Sequence, residues 1–217
     1  MKALGRLFVF VISLSGIGAC RSRVDASALQ HRADGTTMQM TVLGNAHDAR
    51  VLPTREAINY WNSELRRLNR RLQFDSGTVH FDSIPDDVVR AAQAEVRLGG
   101  GPATNRLQAK LADIPGDIII ILTQADLISF SVRWRSGSKG VVAIRRADIL
   151  PLSLPNTVRN VVAHELGHVL GLVHNRDATT LMCGRPASCR PAAFMSDTAH
   201  FFPLIQGDER WLEAQWP

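Results

Sequence analysis

The sequence predicts an α+β domain on the strength of three patterns. A near-continuous aliphatic run, Asp117 to Leu122, sits between Gly116 and Gln124 and has the length of a strand buried on both faces. The segment Thr54 to Leu72 places Ile58, Trp61, Leu65, Leu68 and Leu72 at alternating spacings of three and four, which is the stripe of an amphipathic helix. A second helical stripe, Val158, Val161, Val162, Leu166 and Val169, follows Pro155-Asn156 as its cap and carries histidines between its apolar positions. With 217 residues, 45% hydrophobic and 21% charged, the chain has material for one such domain plus an appendage. The composition excludes collagen-like, disordered and polytopic membrane classes.

The appendage comes first. Lys2 and Arg6, the apolar stretch Leu7 to Ala19 and the small residues before Cys20 read as an export signal over 1–19. Its apolar run of about 13 residues, interrupted by Ser13, Ser15, Gly16 and Gly18, is shorter than the roughly 20 needed to cross a bilayer. Ile17-Gly18-Ala19-Cys20 resembles the lipobox of bacterial lipoproteins. That resemblance implies lipidation of Cys20, anchoring in the cell envelope at the periplasmic or outer surface, and a tether over 20–35 before a domain at 36–217. The alternative is a plain secretory signal with Cys20 incidental. Without Lys2 and Arg6 the formal charge of +5 falls to about +3. The basic residues lack interleaved aromatics, so no nucleic-acid partner is expected.

Within the domain, a strand over Thr37 to Leu43 precedes the Thr54 to Leu72 helix. Arg66, Arg67, Arg70 and Arg71 fall largely on that helix's outer side and read as a solvated face, with anionic lipid as the sharper alternative. Thr78 to Phe81 forms a further strand, and Asp86-Asp87 after Pro85 starts a helix that Gly99 to Gly101 ends. The glycine run lacks a following Lys-Ser/Thr and is a loop, not a phosphate cradle. Asp117 to Leu122 is expected at the centre of the sheet. Ser129 to Arg135 alternates, with Phe130, Val132 and Trp134 on one face and Ser131, Arg133 and Arg135 on the other, as a half-exposed strand does. Val141 to Ile144 adds another strand, and Asp208 to Trp216 is expected to close the domain as a helix with Trp211 packed inward. His31, His47, His80 and His200 have no ligand spacing.

The chemistry concentrates at His164-Glu165-Leu166-Gly167-His168-Val169-Leu170-Gly171-Leu172-Val173-His174, which fits HExxHxxGxxH at all five fixed positions. Chance would supply such a match on the order of 10⁻⁵ times in a chain of this composition. On a helix, His164 and His168 stand about 40° apart, so both imidazoles reach one ion. Glu165 lies at the edge of that face, where it can serve a water at the ion without ligating. On a continuing helix His174 would point about 240° away from His168, so the helix has to end first. Gly171 permits that ending, because glycine takes the left-handed conformation without a Cβ penalty. Three neutral imidazoles leave one tetrahedral position open, as in catalytic rather than structural zinc sites.

Together with Met182 in Thr179-Thr180-Leu181-Met182, this constellation resembles the metzincin clan of zinc peptidases, whose extended motif and Met-turn form a pair. Met182 lies eight residues after His174 in a Leu-Met pair, and Leu166, Gly167, Leu170 and Leu172 are also matrixin-like choices, so the matrixin family is the nearest. The resemblance spans roughly Thr37 to Trp216. It implies a zincin-like fold: a twisted mixed sheet, an active-site helix and a small C-terminal subdomain closed by a helix. It further implies one catalytic Zn2+ on His164, His168 and His174, Glu165 as general base, Met182 as a hydrophobic floor beneath the metal, and protein or peptide substrates. In that family an extended substrate pairs with an edge strand, here Ser129 to Arg135; the bland alternative is a solvated edge protected by its arginines.

The departures are informative. The single tyrosine, Tyr60, lies far upstream, which disfavours astacins and serralysins. Met182-Cys183-Gly184 stands where matrixins often read Met-Tyr-Pro, so substrate preference does not transfer. Little chain separates the leader from the first strand, which argues against a cysteine-switch propeptide, and no calcium loop is evident. Cys183 and Cys189 form an even pair that suggests a disulfide in an exported protein, with Cys183 as metal ligand or redox switch the rival. The expectation is a monomeric zinc endopeptidase. A zinc-binding adhesion lipoprotein is the alternative, and an intact Glu165 argues against it.

Overall fold

The computed structural model describes residues 37–45, 47–80, 82–96, 98, 100–133, 139–184 and 199–216. The export leader, Cys20, the 20–35 tether, His31, Phe81, Gly99, Trp134, Arg135 and Cys189 lie outside the described residues. Among the described residues the strands are β1 (Thr37–Met38), β2 (Met40–Leu43), β3 (Gln73–Phe74), β4 (Thr78–His80), β5 (Ile118–Leu122), β6 (Phe130–Arg133) and β7 (Gly140–Ile144). The helices are α1 (Val51–Arg67), α2 (Asp86–Val96), α3 (Pro102–Leu111), α4 (Pro155–Val169) and α5 (Gln206–Gln215).

Aliphatic side chains with no polar alternative place β5 in the middle. All five of its residues are buried, and it lies at the centre of a five-stranded mixed sheet ordered β4-β2-β5-β7-β6. The pairs β2–β4, β2–β5 and β5–β7 are parallel, and edge strand β6 runs antiparallel to β7. Strand alternation sorts the core into two layers. Met40, Val42, Ile118, Ile120, Leu122, Val142 and Ile144 pack with α1 and α4; Leu43, Ile119, Ile121, Val141, Ala143 and Phe130 pack with α2 and α3.

Local chemistry shifts several expected boundaries. The Thr37 to Leu43 strand breaks at Gln39, because the Asp75 carboxylate takes the Met40 N–H at 2.8 Å and β1 pairs with β3 instead of continuing in the main sheet. Helix α1 stops five residues short of Leu72. Asn69 adopts a left-handed conformation (φ 56°), and the bonds Asn69 N–H to Arg66 and Arg70 N–H to Leu65 close its C-terminus. Leu72 still reaches the core from the loop. Helix α3 is absent from the sequence expectation. Glu95 of α2 accepts the Ala103 and Thr104 N–H groups at 2.8 and 2.9 Å and so supplies a cap from outside the segment.

Two further expectations are corrected. Trp211 does not pack inward: it is 38% exposed, and the inner stripe of α5 is Asp208, Leu212 and Trp216, four residues apart. Asn156 is not the helix cap. Leu154 occupies that position with Pro155 first in the helix, and Asn156 lies buried in the first turn. Nor are the arginines from Arg66 to Arg71 only a solvated face. Arg67 pairs with Glu209 of α5 at 2.6 Å, and Arg70 donates to the Glu213 and Trp216 carbonyls.

Helix α4 is held on three sides. The Trp61 indole N–H of α1 donates to the Ala163 carbonyl at 2.8 Å, and the Trp216 indole N–H donates to the Leu170 carbonyl at 3.2 Å. Asn156 accepts the His200 N–H, while Asn160 donates to the His200 carbonyl and accepts the Phe202 N–H, so two side chains one turn apart fasten the 200–202 segment along the helix. Buried Arg50, just before α1, donates to the carbonyls of Leu122, Thr123, Ile144 and Arg145 at the ends of β5 and β7, and pairs with Asp48. Burial alone pushes the Asp48 carboxyl up, but its bonds with Arg50 outweigh that and leave it below the usual range.

Gly167 carries the closest approach. A Cβ there would lie 2.6 Å from the Met182 sulfur and 3.2 Å from the Trp61 ring. Both side chains are fully buried and Trp61 is hydrogen-bonded, so neither can retreat. Gly167→Ala gains about 1 kcal/mol of helix propensity but meets an overpacking cost of about 1–3 kcal/mol. Urea unfolding is expected to show net destabilisation; a stabilised variant would contradict this packing. Asn160→Ala removes both bonds to the 200–202 segment and strands the buried Phe202 N–H, and is expected to cost about 2–3 kcal/mol in the same assay. A change under about 0.5 kcal/mol would show that the segment is held otherwise.

Candidate metal centre

His164 and His168 project from α4 one turn apart. The helix then ends as its glycine demands. Gly171 has φ 98°, its N–H bonds to the His168 carbonyl at 3.0 Å, and the Leu172 N–H reaches the Gly167 carbonyl at 2.9 Å, a Schellman ending. The reversed chain returns His174 to the other two. The three Nε2 atoms lie 3.2 Å (His164 to His174), 3.1 Å (His164 to His168) and 2.9 Å (His168 to His174) apart.

Donor chemistry decides what these nitrogens are for. His164 Nδ1 lies 2.8 Å from the Leu181 carbonyl and His168 Nδ1 lies 2.8 Å from the Leu172 carbonyl. A carbonyl only accepts, so each Nδ1 carries the proton and each Nε2 presents a lone pair to the common point. Burial lowers the His168 pKa despite its Leu172 bond, and burial with the neighbouring His168 lowers that of His174. Neutral imidazoles whose lone pairs converge repel one another unless a cation lies between them. The three form a group able to hold a metal ion, and their donor set fits zinc.

Glu165 is next to His164 and only 7% exposed. Burial pushes its carboxyl up to about 7, against a hydrogen bond from the Ser131 side chain of β6 that acts in the opposite direction. The group is therefore poised near neutrality.

Behind the histidines, residues 175–184 form a tight return. Asn175 bridges Cys183, its N–H bonding to the Met182 carbonyl at 2.8 Å, and the Gly184 N–H bonds to the Asn175 carbonyl at 3.0 Å. Leu181, whose carbonyl orients His164, is itself anchored by its N–H to the Pro203 carbonyl at 2.8 Å. Met182 is fully buried, with its sulfur against Gly167 one helical position before His168. Trp211 lies across the Gly171 turn, its Nε1 3.0 Å from where a Cβ would sit, so that turn needs glycine for space as well as conformation. Of the sequence candidates, His164, Glu165, His168, Gly171, His174 and Met182 come together here, while Cys183 is buried at the edge of the return. His80 and His200 stand apart: His80 ends β4, and the His200 ring packs on Phe202. Ser131, Trp61, Asn160 and the carbonyls of Leu172 and Leu181 are the participants that spacing did not expose. Ser131 left a trace as the polar member of an alternating strand, and Trp61 as a member of the first helix's apolar stripe.

A known family covers the residues of this site. The matrixin family model matches residues 73–194, more than half of the chain, including β5, α4, the three histidines and Met182. A comparison with curated proteins gave no match. Among solved structures the chain is similar to the archaemetzincin from Methanopyrus kandleri, with a TM-score of 0.49, 15% identity, and coverage of 84% of this chain and 96% of that one. On the family match, the chain belongs to the matrixin family of zinc metallopeptidases and has a zincin-like fold.

Proposed function

We propose that this protein is a zinc endopeptidase acting on extracytoplasmic proteins. The observation that carries the reading is the convergence of three imidazole nitrogens, two of them made lone-pair donors by carbonyls at Nδ1, beside the buried carboxyl of Glu165. His164, His168 and His174 would hold the ion, with Leu181 and Leu172 fixing the orientation of two of the rings. Zinc, when bound, supplies a Lewis acid that polarises a scissile carbonyl and acidifies water near neutral pH. Glu165 takes a proton from the attacking water and delivers it to the departing amine, a double role suited to a carboxyl poised near 7. Edge strand β6, which pairs on one side only among the described residues, would offer its backbone to an extended peptide and align the scissile bond along the sheet margin. Met182 supports the helix from below, through Gly167.

The leader, with Ile17-Gly18-Ala19-Cys20 at its end, supports export and lipid anchoring at Cys20. A Cys183–Cys189 bridge, supported by Cys183 being disulfide-bonded, suits that oxidising compartment and leaves the metal to three histidines.

A diverse peptide library incubated with the mature protein tests the activity. Cleavage is expected, with loss on chelation and recovery on adding zinc. Glu165→Gln is expected to lower turnover by roughly 10²- to 10⁴-fold while zinc content stays near one per chain. Wild-type rates in that variant would refute the role of Glu165. For the anchor, mass spectrometry of the mature N-terminus is expected to find a diacylglyceryl-modified Cys20; an unmodified terminus elsewhere would refute lipidation.

A further inference from the structure

We infer that Ser131 is a positioning residue for Glu165: from edge strand β6 its hydroxyl donates to the buried carboxylate and sets the orientation in which that carboxylate meets the substrate. The inference rests on the peptidase reading above and goes beyond it by naming what holds the base.

The sheet sets the direction of the Ser131 side chain. Ser131 pairs with Val142 across the antiparallel β6–β7 ladder, and residues directly opposite each other share one face. Val142 is fully buried in the layer between the sheet and helices α1 and α4. Phe130 and Val132, the neighbours of Ser131 along β6, pack into the opposite layer with α2 and α3. Register and alternation thus direct the Ser131 side chain at the metal-binding helix. There the Glu165 carboxyl is buried, and the Ser131 side chain acts on it against the effect of that burial.

The bond has a mechanical consequence. The terminal torsion of a glutamate is broad and nearly two-fold, so a carboxylate without a partner samples several orientations. A hydroxyl bonded to an ionised acceptor makes one of the stronger hydrogen bonds, and it selects one orientation with one oxygen engaged and the other left to serve the reaction. The same bond joins the strand that would receive the peptide to the helix that carries the base. Peptide backbone and base therefore share one reference point. Alanine at 131 would keep the strand and lose that reference, whereas threonine keeps the hydroxyl and suits a strand.

The test uses the full mature protein, zinc-loaded, with Ser131→Ala and Ser131→Thr. Ser131→Ala is expected to lower kcat by roughly 10- to 100-fold, with KM within about two-fold and zinc content unchanged, and Ser131→Thr to recover most of the rate. A purely structural role would not produce that split or that recovery. Unchanged kcat in Ser131→Ala, or an equally slow Ser131→Thr, would overturn the inference. A double-mutant cycle on the metal-free protein reads the bond independently of turnover. Ser131→Ala is expected to lower the urea midpoint when Glu165 is present and to have little effect in a Glu165→Met background. Equal shifts in both backgrounds would overturn the inference. A wild-type protein inert toward all peptides would refute the peptidase reading, while the cycle would still decide the bond.

Discussion

Three imidazole nitrogens lie within 2.9–3.2 Å of one another, and the scaffold has to hold them there before any ion arrives. Much of the structure answers that constraint. Two of the rings are fixed through carbonyls of the chain reversal itself, Leu172 just after the helix and Leu181 on the returning limb. The reversal depends on the left-handed Gly171, and its far limb is anchored through Leu181 to Pro203. The 200–202 segment leading to Pro203 is in turn fastened by Asn156 and Asn160 to the helix that bears the first two histidines. The ligands thus sit in a closed circuit of hydrogen bonds that begins and ends on α4, which is how a protein preorganises a site.

Burial adds the second requirement. Desolvation favours the neutral forms of His168 and His174 and raises the carboxyl of Glu165, so the surroundings that favour metal binding also tune the base. A buried carboxyl is destabilising unless it has a partner. Ser131 supplies that partner from the sheet, and in doing so links the chemistry to the edge where a substrate strand would pair. Stability and function meet at one bond.

Legibility in the sequence followed the range of the physics. The motif histidines, the glycine turn and the central position of β5 depend on helical period, backbone conformation and a continuous aliphatic run, all of which a local pattern records. Features set by partners distant in the chain were not legible. Helix α3 is capped by Glu95 of another helix, and the first strand breaks because Asp75 captures a backbone N–H. Trp211 and Trp216 have the same composition signal, and only the phase of α5 against α4 shows that Trp216 turns inward. Gly167 read as a family preference, whereas its physical reason is the Met182 sulfur lying where a Cβ would be.

The central claim is that three histidines and no sulfur hold the ion, leaving a position for chemistry. X-ray absorption at the zinc edge of the loaded protein reads this directly. The account predicts a four-coordinate shell of nitrogen and oxygen at about 2.0–2.1 Å with three imidazoles and one light, exchangeable ligand. A scatterer at about 2.3 Å, the distance of a zinc–thiolate bond, or a closed shell with no exchangeable ligand would contradict it.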